Sequence, residues 1–177
     1  DLAAEEERVR LARLGMRDRL VALRAADPDR PRRLTLRTGQ RLELRIDDIG
    51  RDWLLGTVVS EGADRRSAVV PIPAIVGIAL SPGDAAASVI ASGVVGALSE
   101  RLGLAFVLRD LCRRRRTVEV TAHGSVLHGT IDRVARDHLD LALHEAGTQR
   151  RASTVSEVRV IALAAIELVS GGAGRSR

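Results

Sequence analysis

Ile46-Asp47-Asp48-Ile49-Gly50-Arg51-Asp52-Trp53-Leu54 returns 85 residues later as Ile131-Asp132-Arg133-Val134-Ala135-Arg136-Asp137-His138-Leu139. The same offset places Gly39 on Gly124 and Leu42 on Leu127. Further along, Val69-Val70-Pro71-Ile72-Pro73-Ala74-Ile75 falls on Val160-Ile161-Ala162-Leu163-Ala164-Ala165-Ile166 at an offset of 91. An ordered set of matched positions with one change of offset is the mark of a duplicated unit. The second copy then carries a loop six residues longer, around Glu145 to Thr154.

Within the first copy the residues alternate as a strand requires. From Arg41 to Asp48, Leu42, Leu44 and Ile46 share one face, and Arg41, Glu43, Arg45 and Asp47 the other. Further strands are expected at Leu34–Leu36, Trp53–Val59, Ser67–Val70 and Ile75–Leu80. Pro71 and Pro73 fit a one-turn connection and exclude a central ladder position. The second copy reads as strands at Thr117–Thr121, Ser125–Val134, His138–Leu143, Val155–Ile161 and Ile166–Ser170. Leu42, Leu44, Ile46, Leu127, Ile131, Val134 and Leu139 are the expected core.

A helix is expected before each set of strands. Val9, Ala12, Met16, Leu20 and Leu23 form a stripe at three- and four-residue spacing over Ala3 to Ala26, and Asp27-Pro28-Asp29 stops it. The second helix is expected from Leu98 to Cys112, capped by Ser99 and buried between the two units. The organisation is then residues 1–80 as helix and first unit, 81–97 as a small-residue linker, 98–170 as helix and second unit, and 171–177 as a disordered tail. The fold class is α+β, mainly β: two tandem five-stranded barrels, each preceded by a helix.

The chain has 177 residues, 45% of them hydrophobic, which suffices for a buried core. Trp53 and Phe106 are its aromatic residues, so an aromatic-rich groove is excluded. Cys112 is the one cysteine, which excludes an internal disulfide and a cysteine-based zinc site; on the inner side of its helix it reads as core. All 28 basic residues are arginine, and the net charge is +5. An arginine bias without lysine fits high-GC coding DNA, yet the planar guanidinium remains suited to phosphate. The opening DLAAEEERVR is acidic and then amphipathic, unlike a signal peptide, and Ala85–Leu98 is too short for a membrane span. A cytoplasmic location is expected.

The second copy resembles the first motif of the Sm-like family of small, SH3-like barrels. Gly124, Leu127-His128-Gly129-Thr130-Ile131, Val134 and Asp137-His138-Leu139-Asp140-Leu141-Ala142-Leu143 carry the likeness. Gly129 takes the place of the glycine that lets the second strand bend, and His138-Leu139-Asp140 that of the triplet that starts the third. The first copy has Leu44 where Gly129 stands. The family's second motif, an Arg-Gly pair, is replaced by Ile72-Pro73 and Leu163-Ala164. The layout is also similar to that of helix–barrel–helix–barrel proteins of high-GC bacteria, a resemblance that brings no activity.

The resemblance implies RNA or another nucleic acid as partner, in a regulatory or adaptor role. Arg30, Arg32 and Arg33 precede the first barrel, and Arg113, Arg114, Arg115 and Arg116 precede the second, at matching places in the duplication. Such clusters neutralise phosphates without regard to sequence. Trp53 and His138 match each other and lie where the family stacks a base. The competing reading makes the arginines solvated charges at helix ends and Trp53 a plug of the barrel.

A protein-interaction or assembly module without nucleic-acid binding is the second function class, since small barrels keep open edge strands. A monomer or homodimer is expected, with the units packed on each other through their helices. His123, His128, His138 and His144 lie in the second unit near Asp137 and Asp140, with His128 and His138 able to face each other across a hairpin. No ligand spacing there matches a metal site. No nucleophile, paired carboxylates or phosphate loop can be read, so neither catalysis nor a cofactor is expected.

Overall fold

The computed structural model describes residues 1–60, 65–93 and 98–172. Helices α1 (Leu2–Ala12) and α2 (Met16–Ala26) precede strands β1 (Arg32–Leu36), β2 (Arg41–Ile49), β3 (Trp53–Val58), β4 (Arg66–Pro71) and β5 (Ile75–Ala79). Helices α3 (Pro82–Ala87) and α4 (Leu104–Arg113) follow. Strands β6 (Thr117–Ala122), β7 (Ser125–Val134), β8 (His138–Leu143), β9 (Glu157–Ala162) and β10 (Ile166–Gly172) complete the chain. All ten strands form one antiparallel sheet in the order β5-β1-β2-β3-β4-β10-β6-β7-β8-β9.

Each half therefore lays its strands down as fifth, first, second, third, fourth. β3 matches β8 at an offset of 85, and β4 matches β9 at 91. The turns Ile72–Ala74 and Leu163–Ala165 also match at 91, and both are single turns of 3-10 helix. The β2–β3 ladder shifts register between Ile46 and Asp48, and the β7–β8 ladder between Ile131 and Arg133, again 85 apart. The first strands match at a different offset. Leu34 stands opposite Leu42 and Val120 opposite Leu127, so β1 matches β6 at 86.

Leu44, a member of the first core, replaces Gly129 without loss because the crowding has changed strands. A Cβ on Gly56 would lie 2.7 Å from Leu44 Cδ1, and one on Gly129 would lie 3.2 Å from Leu141 Cγ. Leu44 matches Gly129 and Gly56 matches Leu141. Each half thus has one leucine and one glycine at the same crossing of its second and third strands, exchanged between them.

The halves join differently from expectation. They meet strand to strand, β4 against β10, with Val69 opposite Val169 and Arg66 opposite Gly172, and not through packed helices. Pro71 does not obstruct this, because it lies beyond the paired residues 66–69. The seam also mixes the cores. Leu168 of the second half packs in the first core with Leu44 and Leu54. Trp53 and Val69 of the first half pack in the second core with Leu108 and Leu139. Of the expected core, Leu127 and Val134 are only half-buried.

Three expectations along the chain are corrected. The first helix breaks at residues 13–15, where Gly15 weakens the helix and the Asp18 carboxylate accepts the Gly15 N–H at 2.7 Å, starting α2 afresh. Within the expected linker, Pro82–Ala87 form α3, capped by Ser81, whose hydroxyl accepts the Asp84 N–H at 3.1 Å. The second helix starts at Leu104, behind a 3-10 turn over Leu98–Arg101. Ser99 does not cap it but donates to Asp48 Oδ1 at 3.0 Å. α4 lies on β7 with Leu104 and Leu108 buried and Phe106 outward. At the C-terminus β10 reaches Gly172, and residues 173–177 of the expected tail, like 94–97 of the expected linker, lie outside the described residues. No helix among the described residues is long and apolar enough to cross a membrane.

Candidate nucleic-acid interface

The arginines of the two clusters have different partners. Arg32 is buried; its guanidinium donates to Leu23 O at 3.0 Å and pairs with Asp84 Oδ1 at 3.3 Å. Arg30 pairs with the other oxygen of Asp84 at 3.2 Å. Burial works against the Asp84 charge, but hydrogen bonds from Ser81 and Arg32 and the charge of Arg30 outweigh it, so the carboxyl titrates below the usual aspartate range. These two arginines therefore dock α3. Arg33 points outward from β1 and is exposed.

At the other cluster, Arg113 and Arg114 pair with Asp110 at 3.2 and 2.8 Å, and Arg115 with Asp132 at 3.3 Å. Arg116 borders a shallow hollow with Arg66, Glu119 and His128. Arg113 and Arg114, on the carboxyl end of α4, sit where the helix dipole favours cations.

Trp53 opens β3 but is 4% exposed. Its Nε1 donates to Leu102 O at 2.8 Å, and its ring lies so close to Gly50 that any Cβ there would overlap it. No face of the ring is free for a base. His138 opens β8 and is half-exposed, with Nδ1 and Asp137 Oδ1 2.7 Å apart. That hydrogen bond, opposed by desolvation and helped by the charges of His138 and Arg136, lowers the Asp137 pKa.

The other histidines are dispersed. His144 is buried, with Nε2 2.9 Å from the Thr130 hydroxyl. His128 lies next to it across the β7–β8 hairpin, where the His144 N–H donates to His128 O at 3.3 Å. His138 is at the other end of that hairpin, so the expected facing of His128 and His138 does not occur. Among the described residues, no three His, Cys, Asp or Glu gather at one point. Cys112 is half-buried against the second core.

A different cleft, of about 370 Å³, opens over the seam. Its floor is the pair of matching 3-10 turns, with Pro73 and Ala74 from one half and Leu163 and Ala164 from the other. Its rim carries Arg37, Arg51, Arg109 and Arg136, and the one acidic residue lining it is Asp52. Arg51 and Arg136 are the 85-residue pair of the opening repeat, each in the loop after the second strand of its half. The loop of the first half is locked to α4: the Arg51 N–H donates to Leu102 O at 3.0 Å, and Asp52 Oδ1 accepts the Leu104 N–H at 2.8 Å. Asp52 is thereby committed to the helix.

Arg37 is steered across the seam. It donates to Ala164 O at 3.0 Å and lies 3.5 Å from Glu167 Oε1. Arg51, Arg109 and Arg136 are exposed, and among the described residues none has a carboxylate within ion-pairing distance. Phe106, on the helix expected to be buried between the units, lines the same cleft at 46% exposure.

No family model, curated protein or solved structure matches this chain.

Sequence reasoning missed this cleft. The signal for half of it was present, since Arg51 and Arg136 stand inside the very repeat that revealed the duplication. Arg109 and Phe106 carried no such signal, because the direction each faces depends on how α4 settles on β7.

Proposed function

We propose that the protein is a non-catalytic binding module for single-stranded RNA or a like polyanion, held in the cleft over the seam, and that each half is an Sm-like small barrel. The barrel reading is supported by the five-strand order common to both halves, the helix before each set, and the glycine at each crossing of second and third strands. The binding reading is carried by one observation: four arginines and an exposed phenylalanine ring converge where the two matching loops meet. Unpaired guanidinium groups offer planar forks to phosphate, and a half-exposed ring offers a base a stacking face. The function class stays as the sequence implied, while its residues move from Trp53 and the Arg113–Arg116 run to Arg51, Arg109, Arg136 and Phe106.

Fluorescence anisotropy with a labelled mixed-sequence single-stranded RNA at low salt tests this. The double variant Arg51→Ala/Arg136→Ala should weaken binding across all sequences and lower the salt slope by about 2. Phe106→Ala should weaken it by an amount set by stacking, about 1–3 kcal/mol, with less effect on duplex. Absence of binding at low salt, or full binding by the double arginine variant, rejects the reading. The second reading, an assembly module without nucleic acid, is favoured by the apolar open edge of β9, where Val158 and Val160 are exposed.

A further inference from the structure

A second cavity, of about 250 Å³, opens between α2, the end of β2 and the 3-10 turn Leu98–Arg101. It shares no lining residue with the cleft over the seam. Arg17, Val21 and Arg24 line it from one face of α2, since steps of four and three residues return a side chain to the same side of a helix. Val21 and Ala25, one further step along, give it an apolar wall that Ile49 of β2 continues.

The charges of this cavity are set apart from one another. Arg24 and Asp48 both line it, yet no ion pair joins them, and neither has another ion-pair partner among the described residues. Arg24 is held by donating to Asp47 O. Asp48 is held through Oδ1, which accepts the Ser99 hydroxyl at 3.0 Å and the Ile49 N–H at 2.9 Å; among the described residues its Oδ2 has no hydrogen-bond partner. Arg17 is fixed by its Nε, which donates to Gly50 O at 2.7 Å, and its Nη2 is buried without a hydrogen-bond partner. Glu100 Oε1 stands off from that nitrogen at 3.8 Å. A buried donor without an acceptor costs stability, and an acceptor entering the cavity would recover it.

A site with guanidinium groups and carboxylates that do not touch selects a molecule carrying both charges, since an ion of one sign would meet its like. The counterpart of Asp48 at the 85-residue offset is Arg133, so the second half does not repeat this arrangement and the shared fold does not require it. The volume lies below the roughly 300 Å³ at which sites for drug-sized ligands begin, which makes the occupant small. We propose that the cavity binds a free α-amino acid with an aliphatic side chain. Its carboxylate lies on Arg17 and Arg24, its ammonium on Asp48, and its side chain against Val21, Ala25 and Ile49.

Isothermal titration calorimetry with L-leucine tests the proposal independently of the seam cleft and of nucleic-acid binding. One molecule per chain should bind, saturating at or below about 1 mM. N-acetyl-leucine, which lacks the ammonium, and leucinamide, which lacks the carboxylate, should each bind about 10- to 100-fold more weakly, as for loss of a charge-assisted hydrogen bond. Glycine should bind at least about 10-fold more weakly, because the apolar wall stays uncovered. Asp48→Asn keeps an acceptor for Ser99 and for the Ile49 N–H but removes the charge; with its melting temperature unchanged, it should lose leucine about as N-acetylation does. Absence of saturable leucine binding overturns the proposal. So does binding of either blocked leucine, or of glycine, as tight as that of leucine, or a folded Asp48→Asn variant that binds leucine like the parent.

Discussion

Gly129→Ala is the substitution whose cost follows most directly from the exchanged crossing. The new Cβ would overlap the Ala142 carbonyl oxygen and stand 2.9 Å from its carbon and 3.2 Å from Leu141 Cγ. Two of these atoms are backbone, and that backbone is tied into the ladder by the pairing of Thr130 with Ala142. Relief therefore requires the second and third strands to separate. Overpacking of this kind costs about 1–3 kcal/mol, and a backbone obstacle puts it at the upper end. Replacing glycine in a strand returns roughly 0.5–1 kcal/mol, leaving a net loss of about 2 kcal/mol. For a chain of this length that lowers the melting temperature by about 4–8 °C. Gly83→Ala, whose Cβ would meet nothing closer than 4.0 Å, is the control and should melt with or slightly above the parent. The decisive comparison is Gly129→Leu against the double variant Gly129→Leu/Leu141→Gly, which copies the Leu44–Gly56 arrangement of the first half. The double variant should recover much of the loss in a thermal or urea melt. If Gly129→Ala melts like the parent, or the double variant is no more stable than Gly129→Leu, the exchange of crowding between strands is wrong.

Two further outcomes follow from the docking of α3 and of Trp53. The Asp84 pKa is lowered in the fold, so its stabilising share is full above the usual aspartate value of 3.8 and is lost as pH falls through the lower folded value. The gap in melting temperature between the parent and Asp84→Asn should hold steady from neutral pH to about 5 and close only in stronger acid; a gap that closes near neutrality contradicts the assignment. Trp53→Ala should cost about 3–5 kcal/mol in a urea melt, as for other large buried side chains; an unchanged midpoint would show that the ring is not part of the second core.

The duplication was legible because its signal is local. Alternation in β2 and β7 and the prolines at 71 and 73 act within a few residues of themselves, and the six-residue change of offset falls in the loop between β8 and β9. Misreadings arose where distant residues decide. Asp84 gains its role from Arg30 and Arg32, more than fifty residues before it, so residues 81–97 read as a small-residue linker. Trp53 looked available for stacking because the carbonyl that holds it belongs to Leu102. The long first helix had a local cue in Gly15, but its effect depended on the Asp18 side chain turning back to take the Gly15 N–H. Of the cleft, the matched pair Arg51 and Arg136 could have been read from the repeat, whereas Phe106, one of several apolar residues spread most of the way round its helix, could not.

The exchange of side chains across the seam bears on how the chain is made. Val69 and Trp53 of the first half complete the second core, and Leu168 of the second completes the first. During synthesis the N-terminal half emerges first and holds its β4 edge open until a strand a hundred residues downstream arrives. Closing so distant a contact is slow, and an open edge in the interval invites mispairing. The single tryptophan sits where that delay ends. Its ring leaves water only when Leu102 and the second half settle against it, so its emission during refolding times the docking of the halves, separately from strand formation within each.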